Sequence, residues 1–399
     1  SLPMPSPPCC AAADLAERRH CRQAARRLLG AEPRLPALTR LATVAAALTL
    51  ASACLPGVRL FLGPSLQRRR ASRGLNDAVT VRRVASAGRE VGAGDAVTVV
   101  GASGNVGKLV TLRLTDEEYE VRALVRSAAA RERLTKFLGD ERSSRIRFFE
   151  ADTVRAPEGL DAAVRGAAAV IVCTGTTAFP TEAWAGGGVA PEEVGDTVWK
   201  AWTDNGFDVR KGLDALTAAG LNTPDAVDAK GVEAVVDAIC RASSASVLAG
   251  VAPFKRLVLM SSLGVTRRTG FPFVVLNGAG VLDAKAKGEA LVRSTAAREG
   301  FDWTVVRPGQ LFGGPYDNNY YLGTLFQLDK DAETRAVDVQ RGDEAAGDTL
   351  RSTLAEVLVQ SLTAQATRNV DFTVLNVKGD APSADAIQEQ LLTALTPPV

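Results

Sequence analysis

The stretch Val97-Thr98-Val99-Val100-Gly101-Ala102-Ser103-Gly104-Asn105-Val106-Gly107-Lys108 decides the fold. A β-branched run ends in glycines at 101, 104 and 107, and a helix-like segment with Leu109, Val110, Leu112 and Leu114 follows. That is the strand–turn–helix opening of a βαβ unit that takes a dinucleotide. Gly101 permits a tight turn, Gly104 lets the backbone approach a pyrophosphate, and Gly107 lets helix pack close to strand. The N–H groups of the first helical turn and the helix dipole then face the phosphates. A P-loop is excluded, because the position five before Gly107 is Ala102 and Lys108 is followed by Leu109 rather than Ser or Thr.

Working outward, a second apolar strand, Tyr119 to Val125, ends at Arg126. Arg126 stands about 20 residues past the glycines, where an NAD binder carries an acid that holds the ribose hydroxyls. An arginine suits a 2′-phosphate, so NADP(H) is expected in preference to NAD(H). From about residue 95 the chain alternates strands (97–101, 120–125, 146–150, 169–173, 256–261, 303–307, 371–377) with helical segments (104–115, 128–138, 159–165, 227–241, 284–299). This alternation predicts an α/β fold: a doubly wound parallel-sheet Rossmann domain over 95–380, with a small C-terminal substrate or lid region at 310–345 and a tail or helix at 381–399.

One segment interrupts the alternation. Residues 184–220 contain Trp184, a Gly186-Gly187-Gly188 hinge, a helix start at Pro191-Glu192-Glu193, and then Trp199 and Trp202. Apolar residues at 194, 198 and 202 share one helical face. A helical insertion packed on the domain is expected; a lid or a partner-docking surface is the alternative.

Residues 1–80 differ from the rest, with twelve Arg, no Lys and four acids (Asp14, Glu17, Glu32, Asp77). Such Arg-rich, acid-poor sequence looks like a targeting leader, placed at 1–90. The uncharged run 41–58 is short for a membrane span and suits a signal-peptide core. Phe61 and the arginines at 68, 69, 70 and 73 follow it, which resembles the bipartite leaders of algae with complex plastids. A plastid location and peripheral membrane association are the corresponding expectations. The net charge of +2 points to no nucleic-acid partner.

The one histidine, His20, lies in that leader, so Ser-His-Asp hydrolysis, Cys-His chemistry and His-ligated metals are excluded from the body. No metal is expected. Only Cys173 and Cys240 fall in the body, so no disulfide framework is indicated. After the third strand come Asp152 and Thr153, an acid placed to read an adenine edge or to cap a helix. After the fourth come Thr174 and Gly175, where open α/β sheets seat ligands.

Further motifs are Thr176-Thr177-Ala178-Phe179-Pro180, Asn222-Thr223-Pro224 with Val227-Asp228 and Gly231, and Val258-Leu259-Met260-Ser261-Ser262. Then come Gly280-Val281-Leu282 with Lys285 and Glu289, Trp303 to Gly309, and Arg341-Gly342-Asp343. As a set over about 97–380 they resemble the atypical short-chain dehydrogenase/reductase family near the NmrA-like proteins, most of all its plastid members. The resemblance implies that Gly101, Ser103, Gly104, Asn105, Val106 and Gly107 hold the pyrophosphate and Arg126 the 2′-phosphate. It implies Asp152 and Thr153 beside the adenine, Thr174 and Gly175 on the ribose side, and Ser261, Ser262, Lys285, Pro308 and Gly309 around the nicotinamide.

That superfamily's Tyr-x-x-x-Lys pair is absent, since Val281 stands four before Lys285 and Asp283 four before Lys287. A replacement acid is sought in Tyr316 or Tyr320, which otherwise serve as cleft or interface walls; Lys285 alone can bind a ribose hydroxyl. Two functions follow from the resemblance. One is an NADP(H)-dependent reductase of a small-molecule substrate. The other is a non-catalytic dinucleotide-binding scaffold or assembly factor for a photosynthetic complex, with residues 184–220 contacting the protein partner.

Overall fold

The strands around the glycine-rich loop are apolar on both faces because helices cover both sides of the sheet. The computed structural model describes residues 90–248, 253–314 and 333–396. β1 (Ala96–Val100) leads through the glycine turn into α1 (Asn105–Asp116), and β2 (Glu120–Val125), α2 (Ala128–Leu138) and β3 (Arg147–Glu150) follow. The chain then returns through α3 (Leu160–Val164) to β4 (Ala169–Val172), on the other side of β1.

The insertion carries α4 (Val194–Asp204) and α5 (Val209–Ala218). A π-helical segment, Asp225–Lys230, runs into α6 (Gly231–Leu248), β5 (Arg256–Met260), α7 (Val281–Glu299) and β6 (Asp302–Pro308). Beyond lie β7 (Gln310–Phe312), β8 (Ala336–Arg341), β9 (Asp348–Leu350), α8 (Arg351–Gln360), β10 (Val370–Val377) and α9 (Ala384–Leu395).

The eight-stranded sheet has the order β3-β2-β1-β4-β5-β6-β10-β8, and β7 pairs with β9 in a separate two-stranded ribbon. All neighbours in the large sheet are parallel except β8, which runs antiparallel along β10. The seven expected strands are all present. β8 differs from expectation: it lies inside the stretch read as a substrate or lid region, yet Val337 and Val339 are buried in the main core.

Period-two alternation divides the core. Val97 and Val99 of β1 pack with Val110 and Leu114 of α1, Leu134 of α2, Leu354 of α8 and Leu391 of α9. Val100, Val170 and Val172 face the other way, with Leu160 of α3, Val235 and Ile239 of α6 and Val292 of α7. Thr98 also points there, and its hydroxyl donates to the Ala163 carbonyl at 2.7 Å. Each fully buried Val or Leu contributes about 1.5–3 kcal/mol, so both faces drive folding.

In the insertion, Val194, Val198 and Trp202 are buried on one face, as their spacing predicts. Trp202 lies on Gly212, where a Cβ would come within 2.1 Å of the indole, and Trp184 is fully buried with its Nε1 donating to the Thr177 carbonyl. Trp199 is partly exposed, edge-on to Phe207 at 6.0 Å between ring centroids. Among the described residues no helix is long and apolar enough to cross a membrane. Residues 1–89 of the expected leader, Tyr316 and Tyr320 lie outside the described residues.

Candidate functional site

The sheet order reverses between β1 and β4, so the loops leaving their carboxyl ends part to opposite faces and open a crevice. Gly101 begins the first loop with φ +79°, and its carbonyl accepts the Gly104 N–H at 3.0 Å. A Cβ on Gly107 would fall 2.0 Å from the Gly101 oxygen, so only glycine lets α1 start this close to β1. The first-turn N–H groups of α1 have no intrahelical acceptor. Gly104 is the N-cap and supplies no side-chain cap, and the Asn105 Oδ1 is buried without a hydrogen-bond partner. Open donors at a helix N-terminus suit a bound pyrophosphate, whereas the unanswered Asn105 Oδ1 only accepts and suits a hydroxyl donor rather than a phosphate oxygen.

Arg126 is exposed just past β2 and makes no hydrogen bond or ion pair with the described residues. Ser127 caps α2 by accepting the Ala130 N–H. Asp152, after β3, has its oxygens engaged: Oδ1 accepts the N–H groups of Val154 and Arg155, and Oδ2 accepts Arg155 Nη1 at 2.7 Å. Despite partial burial, these donors hold its carboxyl below the usual carboxylate range. It closes a turn rather than capping a helix.

The loop after β4 meets the glycine loop. A Cβ on Gly101 would come within 2.9 Å of the Thr174 methyl, and one on Gly175 would stand 3.4 Å from both Asp228 Oδ1 and Lys285 Nζ. Those two atoms form an ion pair at 2.7 Å, with the side chains 2% and 11% exposed. Asp228 Oδ2 accepts the Thr176 N–H at 3.2 Å. Burial pushes the Asp228 carboxyl up, against the opposing pull of Lys285.

Local backbone choices create this pair. Asp228 lies on the π-helical segment, where the Gly231 N–H reaches back five residues to the Ala226 carbonyl; π-bulges recur at functional sites. Gly288, one turn beyond Lys285, lets α7 approach, since a Cβ there would fall 2.8 Å from the Asp228 carbonyl oxygen.

Glu289, four residues beyond Lys285 on the same face of α7, accepts the Ser261 hydroxyl at 2.6 Å and two bonds from Arg307. Arg307 and Glu289 are 1% and 2% exposed, and Asp371 and Arg293 complete the group. Ser261 is therefore held at the end of β5 with its proton committed to a carboxylate. Ser262 Oγ donates to the Leu263 carbonyl. The Pro308 carbonyl accepts the Leu263 N–H, and Gly309 packs on Gly347, where a Cβ would fall 2.1 Å from the carbonyl oxygen.

Gly101, Gly104, Thr174, Gly175 and Lys285 thus come together at one crevice, and Ser261, at the end of β5, is held by Glu289 one helical turn beyond Lys285. Burial pushes the Cys173 thiol up to about 12, which removes it as a nucleophile. Tyr119 is buried in the core ahead of β2, away from this crevice. Sequence reasoning missed the partners of Lys285 and Ser261, though Asp228 and Glu289 stand in the motifs; the signal was the i, i+4 spacing of Lys285 and Glu289.

A parallel sheet with a glycine turn at its switch point defines a Rossmann-type dinucleotide-binding protein. The chain belongs to the NAD(P)H-binding family, whose model matches residues 101–365, well over half of the sequence. Comparison with curated proteins gives no match. Among solved structures the chain is similar to the oxidoreductase ylbE of Lactococcus lactis (15% identity, 76% of this chain, 100% of that one, TM-score 0.47). It is also similar to Gre2 of Candida albicans in complex with NADPH (14% identity, 71% and 78% of the two chains, TM-score 0.45). A third is a wide-type short-chain dehydrogenase/reductase of Veillonella parvula in complex with NADP (14% identity, 72% and 99%, TM-score 0.41).

Proposed function

We propose that the protein is an NADP(H)-dependent reductase whose reaction centre is the Lys285–Asp228 pair. One observation carries this reading: a buried ion pair stands beside Gly175 at the carboxyl edge of the sheet. Desolvation offsets most of the Coulomb gain of a buried pair, so stability alone is weak ground for keeping one. At the ligand edge of the sheet the charge has a use.

In this reading Ser103, Gly104, Asn105 and Val106 hold the pyrophosphate, and Gly107 allows the close approach. Arg126 holds the 2′-phosphate, and Asp152 with Thr153 flanks the adenine. Thr174 and Gly175 line the ribose. Ser261, Ser262, Pro308 and Gly309 border the nicotinamide. A nicotinamide dinucleotide supplies hydride when bound. Asp228 fixes the Lys285 ammonium, which carries a proton at Nζ and donates hydrogen bonds to a ribose hydroxyl or a substrate oxygen.

The test is loss of NADPH absorbance by the full-length protein against a panel of aldehydes, ketones and enones. Turnover that Lys285→Ala abolishes supports the reading; turnover unchanged by Lys285→Ala overturns it. No turnover with any substrate favours the second reading, a dinucleotide-binding scaffold or assembly factor. The observations behind that reading are Val281 where a tyrosine is needed and the partly exposed Trp199–Phe207 pair on the insertion. A plastid setting rests on the Arg-rich residues 1–80.

A further inference from the structure

The root of the insertion is sewn together by one side chain. Arg155, in the turn after β3, donates Nε and Nη2 to the Gly220 carbonyl at 3.1 and 2.5 Å. Its Nη2 also reaches Asn222 Oδ1 at 2.7 Å, and its Nη1 reaches Asp152 Oδ2 at 2.7 Å. Asn222, 5% exposed, donates Nδ2 to the Ala185 carbonyl at 2.6 Å and its backbone N–H to the Trp184 carbonyl at 2.9 Å. Entry and exit of the insertion are thus joined through Asn222 and Arg155.

The packing leaves no slack. A Cβ on Gly186 would fall 1.8 Å from Arg155 Nη2, and one on Gly187 would fall 2.2 Å from the Ala219 carbonyl oxygen. The same root touches the β4 loop, because the Thr176 hydroxyl donates to the Asn222 carbonyl at 3.0 Å while the Thr176 N–H binds Asp228. The helical insertion is therefore wired to two loops that leave the sheet: the loop after β3 through Asp152, and the loop after β4 through Thr176, beside the Lys285 pair.

We propose that Arg155 is the positioning residue that couples the insertion to dinucleotide occupancy. The proposal rests on the dinucleotide reading above. A ligand that orders the loops after β3 and β4 removes freedom from Asp152 and Thr176, and their hydrogen bonds pass that ordering to residues 184–222. Binding that stiffens an element is a coupling free energy between sites, and it is reciprocal. The planar fork of arginine spans three acceptors at once, which a lysine ammonium on a flexible stem does not.

The experiment is amide hydrogen exchange of the full-length protein with and without saturating NADPH, with binding followed separately by calorimetry. Exchange across residues 184–222 is expected to slow by about five-fold or more on NADPH binding, the low end of ordinary coupling between sites. Arg155→Ala removes that protection; Arg155→Lys, which keeps the charge and the partnership with Asp152, also removes most of it while the protein stays folded. NADPH binding with exchange at 184–222 unchanged overturns the proposal and leaves the dinucleotide reading intact. Protection that survives intact in Arg155→Lys overturns the role of Arg155. No binding of NADPH overturns both.

Discussion

Replacing Lys285 by methionine keeps most of the side-chain volume and removes the charge. Asp228, 2% exposed, then loses its ammonium partner and keeps one hydrogen bond, from the Thr176 N–H. Breaking a buried pair from one side costs about 3–5 kcal/mol, because the remaining charge is left uncompensated. The Lys285 side chain is 11% exposed, so its end of the pair lies close to solvent, which places the loss near the low end, about 3 kcal/mol. The loss depends on pH, and its sign follows from the carboxyl. Burial raises the Asp228 carboxyl above its ordinary value of 3.8, and Lys285 is the main group that pulls it back. The contribution of the raised Asp228 carboxyl is fully present below its unfolded value and is lost as pH rises through its folded value. Removing Lys285 raises the folded value further, so the variant's deficit is small where Asp228 is protonated and grows with pH. Urea unfolding of the full-length protein at pH 5 and pH 8, with an unchanged m-value, measures this. A deficit equal at the two pH values, or below about 1 kcal/mol at pH 8, as for an exposed pair, refutes the reasoning. The double variant Lys285→Met, Asp228→Asn is expected to recover most of the loss, since no charge remains buried.

Three further outcomes are expected. Gly288→Ala improves intrinsic helix propensity by about 1 kcal/mol but drives a Cβ to 2.8 Å from the Asp228 carbonyl oxygen, so a net destabilisation of about 1–3 kcal/mol is expected in urea unfolding; net stabilisation contradicts the close contact. Gly107→Ala forces α1 away from the Gly101 carbonyl and is expected to abolish dinucleotide binding in calorimetry while the circular dichroism stays helical; retained affinity contradicts the glycine-loop geometry. Arg126→Ala, at an exposed position, is expected to leave stability unchanged and to weaken NADPH about ten-fold while sparing NADH, the scale of one lost hydrogen bond to a charged group.

The parts of the fold legible in the sequence are those that repeat a local rule. Val97–Val100 and the glycines at 101, 104 and 107 form the expected strand and turn because each position answers to its own steric constraint. The face at 194, 198 and 202 was readable because helical period alone sets it. β8 was not readable: a short, part-exposed strand (Ala336–Arg341) pairs antiparallel with β10, which follows it after a helix, and nothing local marks that partner. The π-helical segment also escaped, because a single wide turn leaves no periodic trace in six residues. Gly288 passed as an ordinary helical position; its reason is the backbone of another element. Within the site, Lys285 and Ser261 were found by motif, whereas Asp228 and Glu289 as their partners depend on how α7 crosses the sheet edge. The link from Arg155 to the insertion carries no local signal, since the two acceptors there lie 65 and 67 residues away.

The most direct measurement is calorimetric titration of the full-length protein with NADPH and with NADH. Saturable binding of both, tighter for NADPH, is the expected result and ties the glycine loop and Arg126 to one ligand. Equal or tighter binding of NADH contradicts the role of Arg126, and no binding of either contradicts the dinucleotide site itself.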